Sequence, residues 1–223
     1  MMNFLKIKEN ALKYLGYHHQ IIDEKLDCLI DECIEEINQM SSFKATYRKF
    51  PLSFHPLRID ELNLNLDYPD LNQLFKNCHE IILISCTLGI QIDRKAHYYS
   101  HIDMTKATVL DAVASSYLET KCDEYENEQF IGKRTFRFCP GYGNVPIELN
   151  KELARVMECY KKIGLTVQES NILLPQKSMI GLIGLGDNRR EKTCLNCLQK
   201  SYQMMSIIYF RLEKTFYRIE MKI

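Results

Sequence analysis

Arg137-Phe-Cys-Pro-Gly-Tyr-Gly-Asn-Val-Pro146 holds two prolines, two glycines and a cationic side chain at the end of a basic, alternating run. Gln129 to Phe138 reads as a strand, with Phe130, Ile131, Phe136 and Phe138 as apolar residues and Lys133, Arg134 and Arg137 as charges. Pro140-Gly141 ends it. Proline fixes φ near −65° and glycine accepts positive φ, so the pair fits the two central positions of a type II turn. Gly143 lacks a Cβ and permits a close backbone approach. Pro146 suits the first turn of a helix expected to run to about Lys162. A guanidinium, a bare turn and a helix start converge on one spot, which is chemistry suited to a carboxylate or another small anion. The same spacing also fits an ordinary strand-turn-helix connection with a solvated arginine.

The rest of the chain bounds the answer. At 223 residues it is long enough for one well-buried domain, with 46% hydrophobic and 26% charged residues. Lys+Arg and Asp+Glu are both 29, and the zero net charge argues against a generic nucleic-acid binder. No apolar run has membrane-spanning length, and the N-terminal residues lack a signal-peptide core. Nine scattered cysteines without a secretory signal read as free thiols in a reducing cytoplasm.

In chain order, Ile7 to Tyr17 is helical and is ended by Gly16. Asp23 caps an amphipathic helix with Leu26, Leu29, Ile30, Cys33, Ile34 and Ile37 on one face. Lys44–Leu52 and Ile59–Leu66 alternate like antiparallel strands with one wet face, and Asp70–Asn77 is a short helix. Glu80–Cys86 carries Ile81-Ile82-Leu83-Ile84 and is the most buried-looking strand. Ile90 to Tyr99 is helical. His97 and His101 there have the i, i+4 spacing of metal ligands, with no third ligand evident nearby.

The longest helix runs from Asp103 to about Glu126. Thr105, Thr108, Asp111, Ala112, Ser115 and Ser116 give it a small, polar face, suited to tight packing on a sheet or to walling a ligand. Leu165–Leu174 and Ser178–Leu185 read as strands, the second kept slim by Gly181, Gly184 and Gly186. Cys194-Leu-Asn-Cys197 supplies two of the four ligands of a closed zinc site; a structural, a redox and a metal role stay open. For the segment from Tyr202 to Ile223, periodicity fits strands and helix equally. The mixture of helices with wet-faced strands indicates an α+β fold.

Arg137-x-x-x-Gly141-Tyr142 followed by Pro146 resembles the S-adenosylmethionine (AdoMet) signature of the activation domain of cobalamin-dependent methionine synthase. The flanking residues are closer still to free-standing versions of that domain. Gly164-Leu-Thr-Val-Gln-Glu-Ser170 with Pro175, Ser178 and Gly181 is similar to a second family segment. Leu15-Gly16-Tyr17, Ile34-Glu35-Glu36 and Tyr47 to Leu52 resemble the N-terminal part of the free-standing proteins. The resemblance spans most of the chain. It implies a curved antiparallel sheet with packed helices over residues 43–223 and an N-terminal helical extension over 1–42.

The resemblance also implies a function: reductive methylation of cob(II)alamin on a methionine synthase. AdoMet supplies the methyl group, a flavodoxin-like donor the electron, and a partner chain the cobalamin. No Asp-x-His-x-x-Gly cobalamin motif occurs here. No residue of the chain is expected to be an acid, base or nucleophile, and no turnover is expected from the chain alone. By the resemblance Arg137 clamps the methionyl carboxylate, backbone around Phe138, Cys139 and Gly141 reads the ligand, and Tyr142 lies against it. In the family a carboxylate on the long helix helps hold AdoMet. Here Ser115 takes that register, with Glu119 one turn later. That departure, and the lack of a ligand-contacting tyrosine near Gly186, support an alternative: a scaffold that kept the fold but lost AdoMet. A Cys194–Cys197 redox or metal protein is a third reading.

Overall fold

A computed structural model of the chain describes residues 4–17 and 20–186; Cys194, Cys197 and the segment from Tyr202 onward lie outside them. The centre is a three-stranded antiparallel sheet in the order β1 (Lys44–Pro51), β4 (Cys78–Thr87), β7 (Ser178–Gly186). Middle strand β4 is covered on both faces, which is why Ile81-Ile82-Leu83-Ile84 reads as a continuous apolar run. Its side chains alternate between two cores. Ile82, Ile84 and Cys86 join one, and Ile81 and Leu83 the other.

The first core is helical. α1 (Phe4–Tyr14), α2 (Glu24–Met40), α4 (Ile90–Ile102) and α5 (Met104–Gln129) cover that face. Ile7 and Ala11 of α1 and Ile30, Cys33, Ile34 and Ile37 of α2 bury together with Leu110, Val113 and Tyr117 of α5. The helices of the expected 1–42 extension therefore share the core of the sheet. Their ends follow local rules. Gly16 at φ 85° lets its N–H and that of Tyr17 reach back to Lys13 and Leu12, closing α1. Asp23 accepts from Leu26 N at 2.7 Å and Asp103 from Lys106 N at 2.9 Å, capping α2 and α5.

The second core lies beneath shorter pieces. These are α3 (Pro69–Phe75), α6 (Leu149–Val156), α7 (Cys159–Ile163) and two small ribbons, β2 (Arg58–Ile59) with β3 (Leu64–Asn65) and β5 (Thr166–Val167) with β6 (Leu173–Leu174).

Four sequence expectations change. The strand expected over Ile59–Leu66 folds back on itself, because a 3-10 turn at Asp60–Leu62 ends in Asn63 at φ 49°. The strand expected over Leu165–Leu174 is likewise a hairpin, turned near Asn171 at φ 65°. The helix expected from Pro146 to Lys162 is two helices. Glu158 sits in the left-handed region at φ 55° and separates them, at a position marked by neither glycine nor proline. The fourth change concerns Gln129–Phe138. α5 extends through Gln129, and only 133–138 lies along β7, with bridges at Arg134↔Leu185 and Phe138↔Leu182. Four residue steps on one side meet three on the other, so the pairing is bulged. The Thr135 hydroxyl fills the gap by accepting from Gly184 N at 2.9 Å.

Candidate functional site

The turn after this irregular edge has the expected form. Tyr142 N reaches Cys139 O at 3.4 Å around Pro140-Gly141, with Gly141 at φ 93°, as a type II turn requires. Gly141 N then donates to Val145 O at 2.9 Å, and Phe138 exchanges both backbone bonds with Leu182. The N–H groups of Phe138 and Gly141 are thus used within the protein. Gly143, at φ 54°, opens its close approach to a side chain of the chain itself. A Cβ there would collide with the Asp70 carboxylate, which accepts from Asn144 N at 3.0 Å and pins α3 to the turn. Val145 is buried, while Tyr142 is 48% exposed.

Arg137 does not hang in solvent; its side chain is 7% exposed. The stem passes over Gly181 of β7, where an added Cβ would lie 2.7 Å from Cδ. Glycine at 181 thus makes room for the arginine, linking the two sequence segments in space. The guanidinium ends against α5. It pairs with Glu126, itself 7% exposed, and reaches Asp123 Oδ1 at 3.4 Å. Arg134 supports the Glu126 carboxylate at 4.0 Å and anchors to Phe130 O and Asn127. Burial opposes the Arg137 charge, but the sulfurs of Cys122 and Cys139 and the Asp123 carboxylate outweigh it and move its pKa up. Cys122, on α5, is raised well above the ordinary thiol value, first by burial and then by its hydrogen bond with Cys86 of β4.

Glu119, one turn before Asp123, hydrogen-bonds Tyr14 of α1. Burial first, then Glu119 and Tyr142, push the Tyr14 phenol well above its ordinary range, while Arg137 pulls the other way. Glu119, Arg137 and Tyr142 thus all lie within electrostatic reach of Tyr14. Lys6 pairs with Asp123 at 3.0 Å.

Ser115 is used differently. Lys177 Nζ donates to Ser115 Oγ at 2.9 Å and pairs with Asp111 Oδ1 at 2.7 Å, while Ser115 donates to Asp111 O at 3.0 Å. The serine thus belongs to a clamp between α5 and the start of β7.

Of the expected residues, Arg137, Glu119 and Tyr142 all act on Tyr14, and Ser115 belongs to the Lys177 clamp. Tyr14, Asp123, Glu126, Lys177 and Asp70 escaped the sequence reading. Asp123 was within reach: Asp111, Ser115, Glu119 and Asp123 recur every four residues along one helix stripe. Tyr14, Lys177 and Asp70 come from distant segments and carry no local signal.

Surface depressions also lie elsewhere among the described residues. One of about 830 Å³ is lined by Phe54, His55, Pro56, Asp67, Asn72 and Lys76. Another of about 320 Å³ includes Lys49, His79, Glu80 and Lys133. Among the described residues no group of three or more His, Cys, Asp or Glu could hold a metal ion, and no helix is long and apolar enough to cross a membrane.

No protein-family model and no curated protein matches the sequence. The fold does match a solved structure, the MetH reactivation domain bound to AdoHcy. The TM-score is 0.56 at 15% identity, covering 86% of this chain and 78% of that one. The chain has the mixed, antiparallel fold of that domain.

Proposed function

We propose that the chain binds AdoMet where the Arg137–Tyr142 turn meets α5, and that it serves as the reactivation component of a cobalamin-dependent methionine synthase. The observation that carries this reading is the pairing of opposite charges beside an exposed aromatic ring. Arg137 fits a methionyl carboxylate, Asp123 and Glu126 fit its α-ammonium, and the half-exposed aromatic ring of Tyr142 suits a sulfonium. The reactivation domain with the matching fold holds AdoHcy, the demethylated form of the same ligand.

AdoMet, when bound, supplies a methyl group on a sulfonium that is already a good leaving group. The acceptor is cobalamin carried by a partner chain, reduced by a flavodoxin-like donor. The residues of this chain orient and hold. Arg137 and Glu126 fix the amino-acid end, Tyr142 borders the sulfonium, and Gly181 lets the arginine lie flat on the sheet. The test is reconstitution with a cobalamin-loaded methyltransferase and a low-potential donor. Methylated cobalamin should accumulate only with all components present, and the isolated chain should consume no AdoMet.

A second reading, a scaffold that has lost AdoMet, draws on one specific feature: the Arg137 guanidinium already has two carboxylate partners. Calorimetry with AdoMet separates the two readings.

A further inference from the structure

His97 and His101 play no part in the site above. They stand one turn apart on the exposed face of α4, with their Nε2 atoms 3.3 Å apart and their ring planes 87° apart. We propose that they form a two-point chelate for a divalent transition-metal ion of the nickel or zinc class. The geometry fits the bite of such an ion. Two imidazole nitrogens at about 2.0–2.1 Å from a tetrahedral metal sit about 3.3–3.4 Å apart.

The backbone beneath is fixed beforehand. Ile92 is buried, Ala96 and Tyr99 pack on the core, and Tyr99 OH donates to Glu36 at 2.9 Å. Lys95 pairs with the same Glu36 at 2.8 Å. The opposite face of α4 is thereby left to the two imidazoles. Asp93, one turn back, is already engaged by Gln176 N at 2.7 Å. No third His, Cys, Asp or Glu among the described residues completes the set. Among the described residues the site is accordingly two-coordinate, leaving the other metal positions to further donors or water. Neutral imidazoles suit nickel and zinc, whereas magnesium and calcium prefer oxygen.

The test is nickel titration calorimetry on the full chain, compared with His97→Gln and His101→Gln. Thiol binding is common to all three proteins and cancels, and circular dichroism checks that α4 is intact. The proposal predicts one nickel equivalent whose affinity falls by about 100-fold or more in each variant, because either imidazole alone loses the linked second contact. Zinc should give the same pattern. Identical isotherms in all three proteins would overturn it and leave the pair as a hydrogen bond between rings. A loss in one variant only would also overturn it, since a single histidine is no chelate.

Discussion

Lys177 and Arg137 both approach α5 from the side of β7, at opposite ends of one helix stripe. Lys177 meets Asp111, which is 42% exposed, and the Ser115 hydroxyl. Arg137 meets Glu126, which is 7% exposed, near the thiols of Cys122 and Cys139. The lysine end ties a loop to a helix where water still screens the charges. The arginine end keeps opposite charges where water is largely excluded, so each depends on the other. Charge complementarity is common to both ends; burial is what separates them.

The strongest way to break this contrast is Arg137→Ala. It leaves Glu126 buried without its main partner, and a broken buried pair costs about 3–5 kcal/mol. Urea denaturation should show that loss, and Arg137→Met with Glu126→Gln should recover most of it. A stable single variant would mean that the pair is dispensable.

Gly181→Ala should cost less, about 1–3 kcal/mol, because a methyl group there collides with the Arg137 stem rather than with open space. Combined with Arg137→Met/Glu126→Gln, the glycine substitution should become milder, since a methionine end can yield. Additive effects in the thermal melts would separate Gly181 from the arginine.

Lys177→Ala should cost no more than about 1 kcal/mol, given the exposure of Asp111. It should leave AdoMet affinity unchanged within about threefold, since its partners lie off the ligand cluster. A loss as large as that of an Arg137 variant would erase the distinction between the two ends.

The smallest effect is a pH dependence in the helical core. Burial opposes ionisation of Glu36, but hydrogen bonds from Lys95 and Tyr99 outweigh it and hold its pKa below 4.5. A carboxylate with a lowered folded pKa stabilises the fold above its unfolded value and loses that contribution as pH falls. Thermal melts of the wild type should therefore decline below about pH 4.5 more steeply than those of Glu36→Gln. Parallel curves would remove Glu36 from the acid response.

Much of the fold was legible because its signals are local. The caps Asp23 and Asp103, the Gly16 stop, the apolar run of β4 and the Pro140-Gly141 turn each sit within a few residues of what they control. What escaped was set at a distance. Glu158 takes a left-handed conformation that no glycine announces, and the edge along β7 is bulged, with the Thr135 hydroxyl accepting from Gly184 N in the gap. In the site, Arg137, Glu119 and Tyr142 were readable as residues but their partners were not. Nothing near Arg137 in sequence says that Glu126 neutralises it, or that Gly143 makes room for Asp70 rather than for a ligand.

The central claim is that the buried arginine end reads AdoMet, and calorimetry on Arg137→Lys tests it most directly. Lysine keeps the charge beside Glu126, so the fold survives, but it lacks the planar fork. The wild type should bind one AdoMet per chain, and the lysine variant should bind about tenfold or more weakly with a melting temperature close to that of the wild type. A folded wild type that gives no heat with AdoMet, or equal affinities in the two proteins, would contradict the claim.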